Sequence, residues 1–477
     1  MNNSLYSLLE KFSAEEWKDF GLFINSPYHT KGRDFSGLYK FFRKYFSVNK
    51  SAKGIEEKIL KSSIYSSMSR QAFRNRLSDL NKLGEKFLVE KHLEEHKVNR
   101  FSILSEALTE RELHTNFITT YNNTKKRFSG KETNENPAYS RIIHSLGFYE
   151  RSRNNMQKAY EHFDEYVNCV NANSLDMYIY FASEYFLMEE YGIRKDPELF
   201  RGIFREINLE KIIKKIEESG NGYYNKTLLR FYVYEALVNY TKHGSAARAE
   251  NFFGKIRDEI SADLKKFYYM KMHALFVLRF NKGDYSILKK LFALMNDRLE
   301  DGETIDFSKS DYPASEFRDY VILALKLNEY GWAENFINKY YMQLNPLIRD
   351  DERDSAMIRL YTARKNFIGA LNTLNKRKKS ASHVQNIDMY IYEIKIYYEM
   401  KYFNDMELAA DRLKHYLRKE QVLRMQKNSA LKFLSYLKRI AKIKTENAAE
   451  SAEDLRNEIA AEKEPLMDKK WLIEKVM

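Results

Sequence analysis

One cysteine, 6 prolines and 17 glycines are spread over 477 residues. An average chain of this length carries roughly 24 prolines and 33 glycines. A chain so poor in turn-formers cannot supply the many tight bends of an all-β fold. Valine and threonine, which a pleated sheet favours, number only 12 and 13. Sandwiches, barrels and doubly wound sheets are excluded, and long helices remain. The lone Cys169 cannot form an intramolecular disulfide, which fits a reducing compartment. No stretch approaches the ~18 consecutive apolar residues of a membrane span, because Glu184, Glu235 and Lys326 interrupt the most hydrophobic runs. The first residues, Met1-Asn-Asn-Ser-Leu-Tyr6, lack a basic segment, and Lys11 ends the first apolar run too early for a secretory signal. Together these absences predict a cytoplasmic protein with no membrane span.

What the chain does have is apolar and aromatic area. Hydrophobic residues make up 44%, with 35 Tyr and 31 Phe, while 31% of residues are charged. That mixture suits many two-sided helices, each with an apolar stripe and a solvated face. The formal net charge is +13, and it is unevenly placed. Residues 412–444 hold 11 bases against the single acid Glu420, whereas residues 445–477 hold 5 bases against 9 acids. A basic segment precedes an acidic tail.

The chain divides into a helical head at 1–98, a connecting helix and linker at 99–136, helical repeats at 137–445 and an acidic helix with a capping tail at 446–477. In the head, Ser13-Ala-Glu-Glu16 fits a capping box, and Trp17, Phe20, Phe23 and Ile24 follow at helical spacing until Asn25-Ser26-Pro27. Further helices carry Leu38, Phe42 and Tyr45, then Ile55 and Ile59. The head's longest helix begins near Ser69 and runs through Phe73, Leu77, Leu80, Leu83, Phe87 and Leu88. The runs Leu8-Leu9…Phe20…Asn25-Ser26-Pro27-Tyr28 and Arg74-Asn75-Arg76-Leu77…Phe87-Leu88-Val89 resemble the head of uncharacterised bacterial helical-repeat proteins. That resemblance implies an architecture and no activity.

Beyond Phe101 the pattern becomes pairs of helices joined by short turns. Leu264, Phe267, Tyr268, Leu275 and Leu278 make one stripe, Gly283-Asp284 turns the chain, and Leu288, Leu291, Phe292, Met295 and Leu299 make the next. With Gly244, Gly283, Gly331, Asn366 and Tyr402 as markers, the intervals are 39, 48, 35 and 36 residues. Periods in this range mark stacked two-helix units, each with a hydrophobic face only its neighbours can cover. Tyr330-Gly-Trp-Ala-Glu-Asn-Phe336 and Tyr402-Phe-Asn-Asp-Met-Glu-Leu-Ala409 resemble the tetratricopeptide-repeat superfamily, where small and aromatic residues after the turn let helices approach. The resemblance spans roughly residues 137–445 and implies an all-α, TPR-like α-solenoid of antiparallel hairpins. No repeat keeps the family's full consensus, and its two-lysine peptide clamp has no matching positions here. Polar seams are expected at Lys131–Pro137, Ser219–Gly222 and Asp301–Pro313. After Pro465, Trp471, Leu472 and Ile473 are expected to fold back as a terminal plug.

Chemistry-bearing motifs are few. His92-Leu-Glu-Glu95-His96 matches the H-x-x-E-H spacing of inverted zinc peptidases, with both histidines on one helix face. It closes a charged helix and lacks a third ligand, so it reads as a solvated face. No phosphate-binding glycine motif and no G-x-S-x-G elbow occurs, and Cys169 reads as a small core residue. Arg74-Asn75-Arg76 through Gly84 resembles the recognition helix of winged-helix proteins, without the two strands of a wing. The reading calls for no catalytic residue, metal or cofactor.

Two candidate binding features remain. Arg424, Lys427, Lys432, Lys438, Arg439 and Lys442 share an arc of one helix, a stripe suited to phosphates, to an acidic protein or to the chain's own acidic tail. Tyrosine doublets place neighbouring rings about 100° apart, so one packs while the other reaches a groove. Tyr224, Tyr268, Tyr341 and Tyr397 are the candidate groove aromatics. The expected function is a non-enzymatic scaffold that binds a peptide or protein. The alternative is a nucleic-acid-associated regulator working through its basic helix faces.

Overall fold

The computed structural model of the chain describes residues 3–49, 52, 54–66, 68–128, 136–193, 198–302, 311–377, 382–420, 422–445 and 451–476. Among the described residues there are helices and no strands. They form two compact units. One comprises Met1–Phe231 with Lys255–Ser261, and the other Tyr232–Gly254 with Ala262–Met477.

The first unit opens on the expected capping box. Ser13 Oγ accepts from the Glu16 amide at 3.1 Å, and Glu16 Oε2 accepts from the Ser13 amide at 2.7 Å. This start orients the helix Ala14–Ile24 so that Trp17, Phe20 and Ile24 are buried. They meet Leu5, Leu9, Phe42, Leu77, Leu80 and Phe87 in one core. The ring of Phe12 lies 5.3 Å from that of Phe20 and 5.5 Å from that of Phe87. Burying each such ring stabilises the fold by roughly 1.5–3 kcal/mol. The helix Arg70–Glu95, capped by Ser69, carries the Phe73–Phe87 stripe into that core.

A second core in this unit joins Val98, Phe101, Phe117, Ile142 and Leu146. It is supplied by Lys97–Thr109, His114–Thr124 and Tyr139–Ser152. The last of these packs along Met156–Glu190, a helix of 35 residues. That helix buries Cys169, Ala172, Asp176, Ile179, Ser183 and Leu187 along one side.

The second unit pairs its helices in sequence. Ala262–Asn281 packs on Leu288–Asp301, Ala314–Lys326 on Tyr330–Tyr340, Arg349–Ala363 on Phe367–Lys376, and His383–Glu399 on Phe403–Lys419. Successive pairs also meet through their first helices: Ala314–Lys326 touches Arg349–Ala363, which touches His383–Glu399. Large rings fill the joints. Phe336 lies 4.9 Å from Trp332 and 5.0 Å from Tyr320, both nearly parallel to it.

The turns repeat more strictly than the sequence. Gly283, Asn328, Lys365 and Lys401 all have positive φ, spaced by 45, 37 and 36 residues. In each turn the next amide bonds the carbonyl five residues back, as in Asn366 to Tyr361 at 2.8 Å and Tyr402 to Tyr397 at 2.9 Å. This left-handed close ends a helix and reverses the chain. Glu112, Asn154 and Gly192 do the same in the first unit. Gly331 lies inside the helix Tyr330–Tyr340 and is not the turn residue; Asn328 is.

The second unit ends in three helices, Arg424–Thr445, Ala452–Ala461 and Lys469–Val476. Phe433, Leu437, Ile440, Leu455, Ile459, Leu472 and Val476 form their shared core. Leu472 is fully buried and Trp471 packs against Tyr398 and Phe433, so the chain does fold back after Pro465. Most of the seams expected at 131–137 and 301–313 lie outside the described residues, as does the start of the acidic tail at 446–450.

Candidate functional site

The first helices of three successive pairs, with the terminal helix Lys469–Val476, border a groove of about 660 Å³ in the second unit. Ile322, Leu325 and Ala363 supply its half-buried apolar floor. Lys326, Arg359, Lys365, Lys395 and Lys475 bring five cations to it, against the carboxylates of Glu399, Asp468 and Glu474. Lys326, Arg359 and Lys395 come from the three first helices, Lys365 from a turn and Lys475 from the terminal helix.

The groove's polar side chains are anchored from behind. Arg359 Nη2 donates to Asp388 Oδ2 at 2.8 Å, and its guanidinium lies over the Tyr392 ring at 5.2 Å. Burial opposes its charge, but Tyr392 and Asp388 more than offset that and hold it above the usual arginine value. Lys395, itself buried, donates to Asp468 Oδ2 at 2.9 Å and stands 5.4 Å from the Trp471 ring. Glu399 accepts from Trp471 Nε1 at 2.9 Å and pairs with Lys475 at 2.6 Å. The result is a pre-set row of aromatic faces and cations beside apolar carbon, able to hold an extended chain bearing anionic groups.

The six basic candidates lie on Arg424–Thr445, whose apolar face is buried through Ala430, Phe433, Leu434, Leu437 and Ile440. Two of the six are taken up by the acidic tail. Lys432 Nζ reaches Glu462 at 3.0 Å and Glu464 at 2.7 Å. Arg439 grips Glu458 through both terminal nitrogens, at 2.8 and 2.6 Å. Hydrogen bonds donated to Glu464 and Glu462 raise the Lys432 ammonium pKa, and the Arg439 hydrogen bonds pull the Glu458 carboxyl down. Arg424, Lys438 and Lys442 are exposed and Lys427 is half-buried.

The four candidate tyrosines are not brought together. Tyr224 and Tyr268 are buried, so both are packing rings and not groove aromatics. Tyr224 donates to Asn168 Oδ1 at 3.2 Å, while Tyr268 stacks on Phe253 at 3.7 Å. Tyr341 and Tyr397 are half-buried, the former beneath Arg353 at 5.3 Å. The doublets at 223–224, 340–341 and 397–398 do split into a more and a less buried ring, but Tyr268 and Tyr269 are both buried. Tyr269 is satisfied there by Asp297 Oδ2 at 2.8 Å.

His92 and His96 end the head helix with their rings 4.1 Å apart, and Glu95 beside them is exposed. Among the described residues no cluster of three metal-ligating side chains is present. Cys169 is buried, and burial pushes its thiol pKa up, away from nucleophilic character. In the helix that resembles a DNA reader, Arg76 is turned inward to the Asp34 carbonyl at 2.7 Å and the Phe35 ring at 5.3 Å.

Apart from Trp471, the groove residues carried no signal in the sequence, since they meet only once hairpins lie side by side. Each of the three first helices contributes one lysine or arginine; aligned on the turns, Arg359 and Lys395 stand six residues before Lys365 and Lys401, whereas Lys326 stands two before Asn328. Comparison with protein-family models, with curated proteins and with solved structures yielded no match.

Proposed function

We propose that this chain is a non-enzymatic helical-repeat scaffold, a TPR-like α-solenoid, that binds a peptide or protein partner in the groove between Ile322 and Lys475. The observation that carries this reading is the groove itself. Each of the three first helices brings a lysine or arginine beside an apolar floor, Arg359 and Lys395 are held by Asp388 and Asp468, and Tyr392 and Trp471 add aromatic faces. Binding energy in such a surface comes from several spread contacts and is suited to an extended ligand. Charge-reversed Arg359→Glu and Lys326→Glu full-length variants test it. Partners captured by the wild-type chain from its own cells should be lost from both variants while helical circular dichroism is unchanged. Retention of the same partners by both would overturn the reading.

The nucleic-acid reading has less support. Its basic helix gives Lys432 and Arg439 to the tail, and its head helix gives Arg76 to Asp34 and Phe35.

A further inference from the structure

The 35-residue helix Met156–Glu190 has, beside its buried side, a second apolar face that is exposed among the described residues. Opposite its buried side, Met156, Tyr160, Phe163, Val167, Val170, Met177 and Phe181 are all exposed, Tyr160 by 64% and Phe163 by 57%. Their spacing alternates between four and three residues once the exposed Ser174 is included. This is a heptad seam over nearly four heptads, the pattern of a helix that packs along another helix. An ordinary solvated face would carry charges at these positions, and none of the eight is charged.

We propose that this seam is a homodimer interface, in which the helices Met156–Glu190 of two copies pack antiparallel about a two-fold axis between Val167 and Val170. The occupant is identified by self-complementarity, which a two-fold interface requires. The order of intervals along the seam reads the same in both directions. An antiparallel copy therefore places Met156 against Phe181, Tyr160 against Met177, Phe163 against Ser174, and Val167 against Val170. Small Ser174 leaves room for Phe163, and each end joins a methionine to an aromatic ring, a favourable contact. Near Met156 and Phe163 a pocket of about 340 Å³ continues the seam toward the exposed Phe148 and is open to the incoming Phe181.

The flanks agree with a second copy. Gln157, Asp164, Asn171 and Tyr178 border one side, and Ala159, Tyr166, Asn173 and Tyr180 the other, with a single charge among them. Antiparallel pairing sets Asp164 opposite Asn171, so like charges never face each other. The seven large side chains offer on the order of 600 Å² per copy, or about 1,200 Å² in total, the lower end of specific interfaces.

The test uses the full chain in sedimentation equilibrium over a concentration series. Wild type should reach twice the monomer mass of 56.9 kDa. Phe163→Glu, at an exposed position, should lose the dimer while its helical signal is unchanged. For orientation, Met156→Cys and Phe181→Cys copies are oxidised alone and mixed, with wild type, whose Cys169 is buried, as control. The mixture should give the cross-linked dimer and each variant alone should not. A monomeric wild type, a dimeric Phe163→Glu, or a Met156→Cys chain that links to itself would each overturn the proposal.

Discussion

Asp176 Oδ1 and Arg230 Nε lie 2.8 Å apart, and Lys226 Nζ meets the other oxygen of the same carboxylate at 3.0 Å. The carboxylate is only 2% exposed, so one buried anion holds two largely buried cations between the long helix and the start of Asn225–Val238. Removing the anion takes from both cations the carboxylate they share in a poorly solvated site. Asp176→Ala should therefore destabilise the first unit by about 3–5 kcal/mol, read as a lower urea midpoint in chemical unfolding. Asp176→Asn should lose much of the same stability, because it restores volume but not charge and turns an amide NH2 toward one of the two cations.

The left-handed turns make an opposite prediction. Lys401 sits at φ 63°, a region that costs an L-residue roughly 1–2 kcal/mol and glycine little. Lys401→Gly should stabilise the second unit by about 0.5–1 kcal/mol after the extra unfolded-state entropy of glycine is counted. Gly283→Ala, at φ 96°, should cost about 1 kcal/mol at the equivalent place in another hairpin. Thermal unfolding of the two variants, moving in opposite directions, checks both.

His273 lines a small cavity with Arg298, Glu316 and Asp319. Burial lowers its pKa below the ordinary 6.5, against the pull of Asp319 and Glu316 and with the push of Arg298. The unfolded chain therefore binds this proton more readily than the folded one. The corresponding stability is complete above pH 6.5 and is lost as pH falls through that value toward the lower folded one. Asp319, raised by burial, acts in the opposite sense, favouring the folded state as pH falls toward the ordinary carboxylate value. Wild type should melt earlier at about pH 5.5 than at about pH 7.5, and His273→Gln should lose less between the two.

Neutralising the tail should expose the basic helix. Glu458→Gln, Glu462→Gln and Glu464→Gln together release Lys432 and Arg439. If both then reach phosphates, the log–log salt dependence of duplex DNA binding should steepen by about 2. An unchanged slope would show that the two cations do not reach the duplex.

Local signals carried most of what could be read from the chain alone. The Ser13–Glu16 box, the Phe73–Phe87 stripe and the returning Trp471–Ile473 segment each depend on neighbours a few residues away or on simple apolar demand, and each is found in place. The hairpin period was legible but its phase was not. Glycine and aromatic markers mixed turn residues with helix residues, because three of the five left-handed positions described from Gly283 to Lys401 hold asparagine or lysine. The seam on Met156–Glu190 was hidden for a related reason. A helix apolar on two opposite faces shows no strong single-face periodicity. The groove was hidden because its cations come from segments about 35 residues apart.

At these bends the reversal is secured by main-chain hydrogen bonds from each peptide group to the turn before it, and hardly by the identity of the side chain. Glycine, asparagine, lysine and glutamate all occupy such corners here, at differing cost, while the direction of travel survives. The regularity of this architecture is thus kept in its torsion angles.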